Sequence, residues 1–426
     1  MPNIRASGLI NNMKILYYIA IAIASLPLMA AERLEIMVPS GSYVSFMRNT
    51  VTPEFNKLYP EVNLVVSNDE QLDTRMAAGD NPNVYIGVFG YQPAKLAKLG
   101  KLAYLDKFPG FAELNERIDP HFLRENFGRT YYIPWNATTQ MMIYNKELFA
   151  EAGLDPERPP ATWDEFLLAA EKISALPPRS DGSKVYGTVF WNDVLSFGSW
   201  YWNLLAPMYY NVNQGQYQLL NRYGTDIVFD RPDANMAQFM RTMQQAQRFA
   251  PLTMEKSFFS RNIGMWLQFG FGWKATLSSA AERPMVVGQD VAIAPIPVQT
   301  KGDIHYSVLD GRAIMIFKDE ARKEQLSWAL LNLLMRDDIN LQANIALGQL
   351  PTLKALQDAP YFQSAEAQPF VQQLQHAILS EPFANAMEVA NIILANYSKV
   401  VLKGEISPEQ AVATSAQAAR QLLNEH

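Results

Sequence analysis

The sequence predicts an α/β protein of two lobes, each a mostly parallel sheet flanked by helices. Three observations carry this. Short apolar β-runs over 34–38, 63–66 and 84–89 alternate with helical patterns over 51–59 and 72–78, the signature of a sheet covered by helices. The chain has 426 residues. With an apolar leader set aside roughly 395 remain, more than one hydrophobic core usually organises. A helix-rich stretch opens near Met141, and the run VAIAPIP at 291–297 then returns the chain toward the first lobe.

The leader is read from its own anatomy. Residues 15–31 carry no charge, 15–26 are largely apolar behind Lys14, and the small residues Ala30 and Ala31 precede Glu32. Such a segment is a signal peptide, too short for the roughly 20 apolar residues of a spanning helix. It is assigned to 1–30, with Met13 as an alternative start, so a secreted protein, periplasmic or extracellular, is expected. There is no cysteine, which removes disulfides, thiolate catalysis and lipidation of an N-terminal cysteine. A net charge of -6 without a long basic run argues against nucleic acid as a partner.

In an open α/β sheet, ligands sit beyond the carboxyl ends of the strands. That rule nominates residues 40–43 with Tyr43, residues 68–70 with Asp69 and Glu70, and Gly90 with Tyr91. The segment GRTYYIPWNATTQMMIYNKELF at 128–149 holds two extended runs, 131–134 and 141–144. Between them Trp135, Asn136, Ala137, Thr138 and Thr139 form a plain, hinge-like spacer. Thr162 and Glu165 then make a capping box ahead of the apolar stripe Phe166, Ala169, Ala170 and Ile173.

Here the residues carry a resemblance. The order GRTYYIP, then YNKELF at 144–149, then PATWDEF at 160–166 resembles the extracellular solute-binding proteins of bacterial ABC importers, in the carbohydrate-binding branch that includes maltose-binding protein. The match continues through VAIAPIP, the AIMIF strand behind Gly311, Gly348 with Pro351, and Gly404, Ile406, Ser407, Glu409 and Ala411, where Ser407 is an N-cap and Pro408 the first helical residue.

The resemblance implies a two-lobed flytrap that closes on a sugar or oligosaccharide and delivers it to membrane permease subunits, as a monomer without a cofactor. Lobe 1 is assigned to 31–137 and 291–336, and lobe 2 to 138–290 and 337–426. Hinge crossovers are expected near 136–140, 287–291 and 335–339. The family's sugar-stacking Trp corresponds to Trp273, and Asp310-Gly311-Arg312 stands where the family has a Gly-Gly pair lining the ligand.

A sugar presents apolar C–H faces and a rim of hydroxyls, so flat rings with carboxylates, amides or Arg at the edge complement it. The aromatic clusters at 190–202 and 266–273 nominate Trp191, Trp200 and Trp273, and Trp135 and Asn136 are added from the hinge. Asp69, Glu70 and Asp310 are acceptors. Arg312 is a planar donor fork suited to a carboxylate, as in a uronate.

No zinc signature, G-x-S-x-G elbow or Walker loop occurs, so no catalytic residue or metal ligand is assigned. Two alternatives stay open: a ferric-iron or other small-solute carrier using the phenols of Tyr131-Tyr132 or Tyr209-Tyr210, and an extracellular carbohydrate-active enzyme.

Overall fold

In the computed structural model the described residues are 31–39, 41–88, 90–123, 128–191, 201–252, 258–279 and 283–425. They build two sheets. The first takes β1 (Glu32–Val38), β2 (Val62–Asn68), β3 (Val84–Val88), β4 (Ile133–Thr138), β9 (Ser307–Ile316) and β10 (Leu350–Pro351), with β11 (Ala377–Leu379) paired to the start of β9. The second takes β5 (Gln140–Asn145), β6 (Tyr186–Val189), β7 (Ile263–Gly270) and β8 (Val291–Ala294). Their spatial orders are β10-β4-β9-β3-β1-β2 and β6-β7-β5-β8.

The sheets are mixed rather than mostly parallel. β2, β1 and β3 are mutually parallel, whereas β9 runs antiparallel to β3 and β4, and β5 antiparallel to β7 and β8. The cause is topological: β4 leaves the first sheet for the second and β9 comes back, and a strand pair that departs and returns must run in opposite directions.

The passages between sheets differ in place from those expected. The first is at Thr139, the single residue between β4 and β5, because the strand continues through the supposed spacer. The second lies in 295–306 instead of 287–291, since β8 pairs with β5 and belongs to the second sheet. The third follows β11 instead of falling at 335–339. The helix Asp337–Leu347 packs on the helix Ser42–Phe46 and leads into β10, which pairs with β4, so the chain stays in the first lobe until about 380. Beyond it the helix Ala386–Tyr397 joins the core of the second lobe.

Local chemistry explains the elements. Leu34, Ile36, Met37 and Val38 have no exposed surface, as a strand covered on both faces requires, and Glu35 alone interrupts their apolar run. The helix Trp163–Ser174 begins with the capping box Thr162–Glu165 and buries Phe166, Ala169, Ala170 and Ile173. It lies so close to β6 that a Cβ on Gly187 would come within 2.1 Å of the Ala170 carbonyl oxygen. At the chain's end Ser407 caps the helix Pro408–Asn424 by accepting from the Gln410 N–H.

One charge sits inside the first lobe. Glu35, 2% exposed, accepts from Arg75 at 2.7 and 3.0 Å, from Arg33 at 2.8 Å and from the Ser67 hydroxyl at 2.6 Å. It thereby ties β1 and β2 to the helix Leu72–Ala77, fixing the turn that bears Asp69 and Glu70. Burial alone would raise its pKa, but the bonds from Arg75 and Ser67 and the charges of Arg75 and Arg33 prevail and hold it at about 2.

Trp135, expected in the cleft, has no exposed surface. Its indole N–H donates to the Leu334 carbonyl at 3.3 Å, and the rings of Tyr43 and Phe46 lie against it at 6.1 and 6.5 Å. β4 is bulged here: Pro134 pairs with Ala313 and Asn136 with Arg312, so Trp135 is the extra residue, and its ring is packed into the first lobe's core instead of the cleft.

Two expectations follow for stability. The folded pKa of Glu35 lies below its ordinary 4.5, so its contribution is full above that value and is lost as pH falls through about 2, on the order of 3 kcal/mol in total. Thermal melting of the protein and Glu35→Gln should therefore differ at neutral pH and converge in acid; a constant gap down to about pH 2 would refute the assignment. Trp135→Ala should cost about 3 to 5 kcal/mol in chemical denaturation, as for a core aromatic; a loss under about 1 kcal/mol would mean that the ring is not a core element.

Candidate functional site

Between the sheets lies a cleft of about 350 Å³ whose walls come from both lobes. The first lobe contributes Tyr43, Asp310, Arg312 and Gln349, the second Leu204, Gln268, Gly270 and Trp273, and the hinge Thr138 and Gln140. A further interlobe cavity of about 460 Å³ holds Asp69, Glu70, Tyr85 and Tyr91 of the first lobe facing Met387, Glu388 and Asn391 of the second. Asp69 and Tyr91 both feel the charge of Arg312 through space.

Of the residues nominated from sequence, Tyr43, Trp273, Asp310 and Arg312 meet in the first space, and Asp69, Glu70 and Tyr91 in the second. Asn136 supports the site from behind: its side-chain oxygen accepts from the Arg312 backbone N–H at 3.1 Å. Trp191 stands behind Trp273, their rings 5.4 Å apart, and stacks on Trp266 at 6.4 Å and 11°. Trp266 is buried, so Trp273, half-buried, is the ring of this cluster that lines the cleft. Trp200 lies outside the described residues.

Arg312 sits in β9, opposite Asn136 of β4 on one side and Val88 of β3 on the other. β9 runs straight through Asp310-Gly311-Arg312. The guanidinium carbon lies 5.7 Å from the centre of the Tyr43 ring. Burial works against its charge, but Tyr43 and Asp310 outweigh burial and hold its pKa above the ordinary value. Among the described residues no carboxylate forms an ion pair with it. Asp310 turns one oxygen back to accept from the Gly311 N–H at 2.7 Å. Burial raises the Asp69 carboxyl, with Arg312 opposing, and raises the Tyr91 phenol to about 12.

Sequence reasoning missed the amides. Gln140 and Gln268 interrupt the apolar strands QMMIYN and IGMWLQFG, and a polar residue inside an apolar strand is itself a site signal. Gln140 pairs with Gly270 across the sheet, and Gln268 lies where the ladder slips by one residue, and both side chains line the cleft. Gln140 donates to the Asn203 carbonyl at 2.9 Å, and Gln268 accepts from the Trp191 N–H at 3.1 Å. Their remaining atoms, Gln140 Oε1 and Gln268 Nε2, are buried without a hydrogen-bond partner of ordinary geometry, as is Asn203 Nδ2. The helix carrying Met387, Glu388 and Asn391 was missed as well, because nothing in its sequence separates a cleft-facing turn from a core-facing one.

The lobes also touch backbone to backbone. A Cβ on Gly348, whose φ is +61°, would stand 2.8 Å from Gly272 Cα, beside the cleft floor. Tyr209 and Tyr210, nominated as ferric ligands, are in the second lobe's core, where burial pushes both phenols up and away from the phenolate that iron needs. No group of three or more His, Cys, Asp or Glu able to hold a metal occurs among the described residues, nor any helix long and apolar enough to cross a membrane.

Comparison with known proteins follows the geometry. Residues 40–340 match the model of the family "Bacterial extracellular solute-binding protein". A binding protein of Brucella abortus (strain 2308) is 25% identical over 304 residues, 70% of this chain and 68% of the relative. The sn-glycerol-3-phosphate-binding periplasmic protein of Escherichia coli is 22% identical over 320 residues, 68% of this chain and 66% of the relative. Among solved structures, the cyclic alpha-maltosyl-1,6-maltose binding protein of Arthrobacter globiformis superposes with a TM-score of 0.74 at 21% identity, covering 92% of this chain and 99% of the other. The GacH receptor of Streptomyces glaucescens superposes at 0.75 with 20% identity over 93% and 99%. With its two mixed sheets, three passages and interlobe cleft, the chain belongs to the family of bacterial extracellular solute-binding proteins.

Proposed function

We propose that this protein captures a saccharide or related polyol between its lobes by hinge closure and hands it to the membrane permease of an ABC importer. The carrying observation is the cleft itself, with Trp273 on the second lobe, Tyr43 and Arg312 on the first, and buried amides at the hinge. An aromatic face and polar groups of both hydrogen-bonding senses match the two surfaces of a carbohydrate. Structural relatives in complex with acarbose, maltose, tagatose or ribitol, and sequence relatives named for sn-glycerol 3-phosphate, support a polyhydroxylated ligand. The apolar leader supports export to the periplasm or beyond. Ligand touching both lobes lowers the free energy of the closed form alone, which is how such a receptor reports occupancy to its partner. No chemistry on the ligand is part of this reading.

Trp273→Ala should weaken saccharide binding by about 2 kcal/mol or more in calorimetry while leaving the melting temperature of the free protein nearly unchanged. Full retention of affinity would remove stacking on this ring from the account. In small-angle scattering the radius of gyration should fall on addition of the bound saccharide. Equal radii, or recovery of a chemically altered saccharide, would count against capture by closure.

A further inference from the structure

Three features of the cleft bear on the charge of its occupant, a deduction that rests on the saccharide reading. Arg312 is half-buried at the centre of the interlobe space, yet forms no ion pair with a carboxylate among the described residues. Other sequestered arginines are paired: Arg75 with Glu35 at 2.7 Å, and Arg261 with Asp290 at 3.6 Å. A guanidinium withdrawn from water without a hydrogen-bonded counter-ion is costly, and the cost disappears when an anion arrives.

The second feature is the weakness of the local counter-charge. Asp310 lies on the same face of β9, but one of its oxygens is engaged by the Gly311 N–H. Asp69 acts only through space, in a setting that disfavours its ionised form. Neither supplies the two coplanar oxygens that a guanidinium fork accepts. The third feature is the hydroxyl-reading side: the amides of Gln140 and Gln268 line the hinge side of the same cleft, each with both a donor and an acceptor.

We infer that the ligand is an acidic polyol, a sugar or sugar alcohol bearing a carboxylate or phosphate, with its oxyanion against Arg312 and Tyr43 and its hydroxyls toward Gln140 and Gln268. Both oxyanions present paired oxygens to the fork, so the experiment separates them. The occupied cleft then carries a hydrogen-bonded ion pair, where the empty one gives Arg312 only the attraction of Tyr43 and the through-space charge of Asp310.

The test is calorimetry on the full chain with matched pairs: galacturonate against galactose, glucose 6-phosphate against glucose, and glycerol 3-phosphate against glycerol. At least one acidic member should bind about 10-fold or more tightly than its neutral parent, and Arg312→Ala should reduce that affinity by about 10- to 100-fold while the neutral parent changes less than about 3-fold. Arg312→Lys keeps the charge and loses the fork, so it should fall between the two; it carries the test alone if Arg312→Ala does not fold. Preference confined to the first pair identifies a carboxylate, and to the others a phosphate. Neutral sugars binding as well as acidic ones, or equal losses for both in the variants, would overturn the inference and leave saccharide capture standing. Failure of every compound to bind would instead sink saccharide capture, and the acidic ligand with it.

Discussion

A single hydroxyl holds the two lobes in register. Ser307 Oγ, wholly buried, accepts from the Gln140 N–H at 2.8 Å and donates to the Gln140 carbonyl at 2.9 Å. Gln140 is the first residue of β5 and Ser307 the first of β9, so this clasp joins the strand just arrived in the second sheet to the strand just returned to the first. A serine suits the place because one hydroxyl both gives and takes a hydrogen bond, satisfying both backbone groups of a residue that has left one ladder before fully entering the next. Beside the clasp, Thr139 is the one residue between β4 and β5, wholly buried, with its hydroxyl donating to the Phe370 carbonyl at 3.4 Å. The side chain of Gln140 meanwhile reaches the cleft, so a contact made there acts directly on the pivot.

The two lobes bring different chemistry to the interlobe spaces. Charged side chains come from the first, through Arg312, Asp310 and Asp69, while the ring of Trp273 and the amide of Gln268 come from the second. Neither lobe alone walls the cleft, and electrostatic contacts strengthen as the local dielectric falls. The buried ion pair of Glu35 serves this arrangement from a distance by fixing the turn after β2.

Much of the fold was legible because it rests on local chemistry. The capping box at Thr162, the N-cap at Ser407 and the apolar run of β1 are written in neighbouring residues. What failed depended on partners far away in sequence. VAIA at 291–294 is apolar in either sheet, and apolarity announces burial without naming the neighbour. β10 and β11 have only two and three residues, too few for any periodicity, so the third passage was placed some forty residues early. At the cleft, the placement of Trp273 and Arg312 in its lining followed from a family pattern and a departure from it. Trp135, nominated from its place beside the hinge, went to the core because β4 is bulged there, and a bulge depends on a partner strand far away in sequence. Gln140 and Gln268 needed the registry of β5 and β7 before their common place in the cleft lining became visible.

The glycine contact across the lobes sets a geometric limit on the whole device. Gly272 lies two residues past the end of β7, and Gly348 two residues before β10, and those strands join Gln140 and Ala137 at the hinge itself. The lobes thus meet close to the axle, where displacement per degree of rotation is smallest. A methyl at either glycine would work as a shim near a door hinge, its small thickness magnified at the outer edge by the ratio of the two radii. Two hydrogen atoms in place of side chains therefore let the lobes approach this closely beside the hinge, and any added methyl would be felt most at the rim.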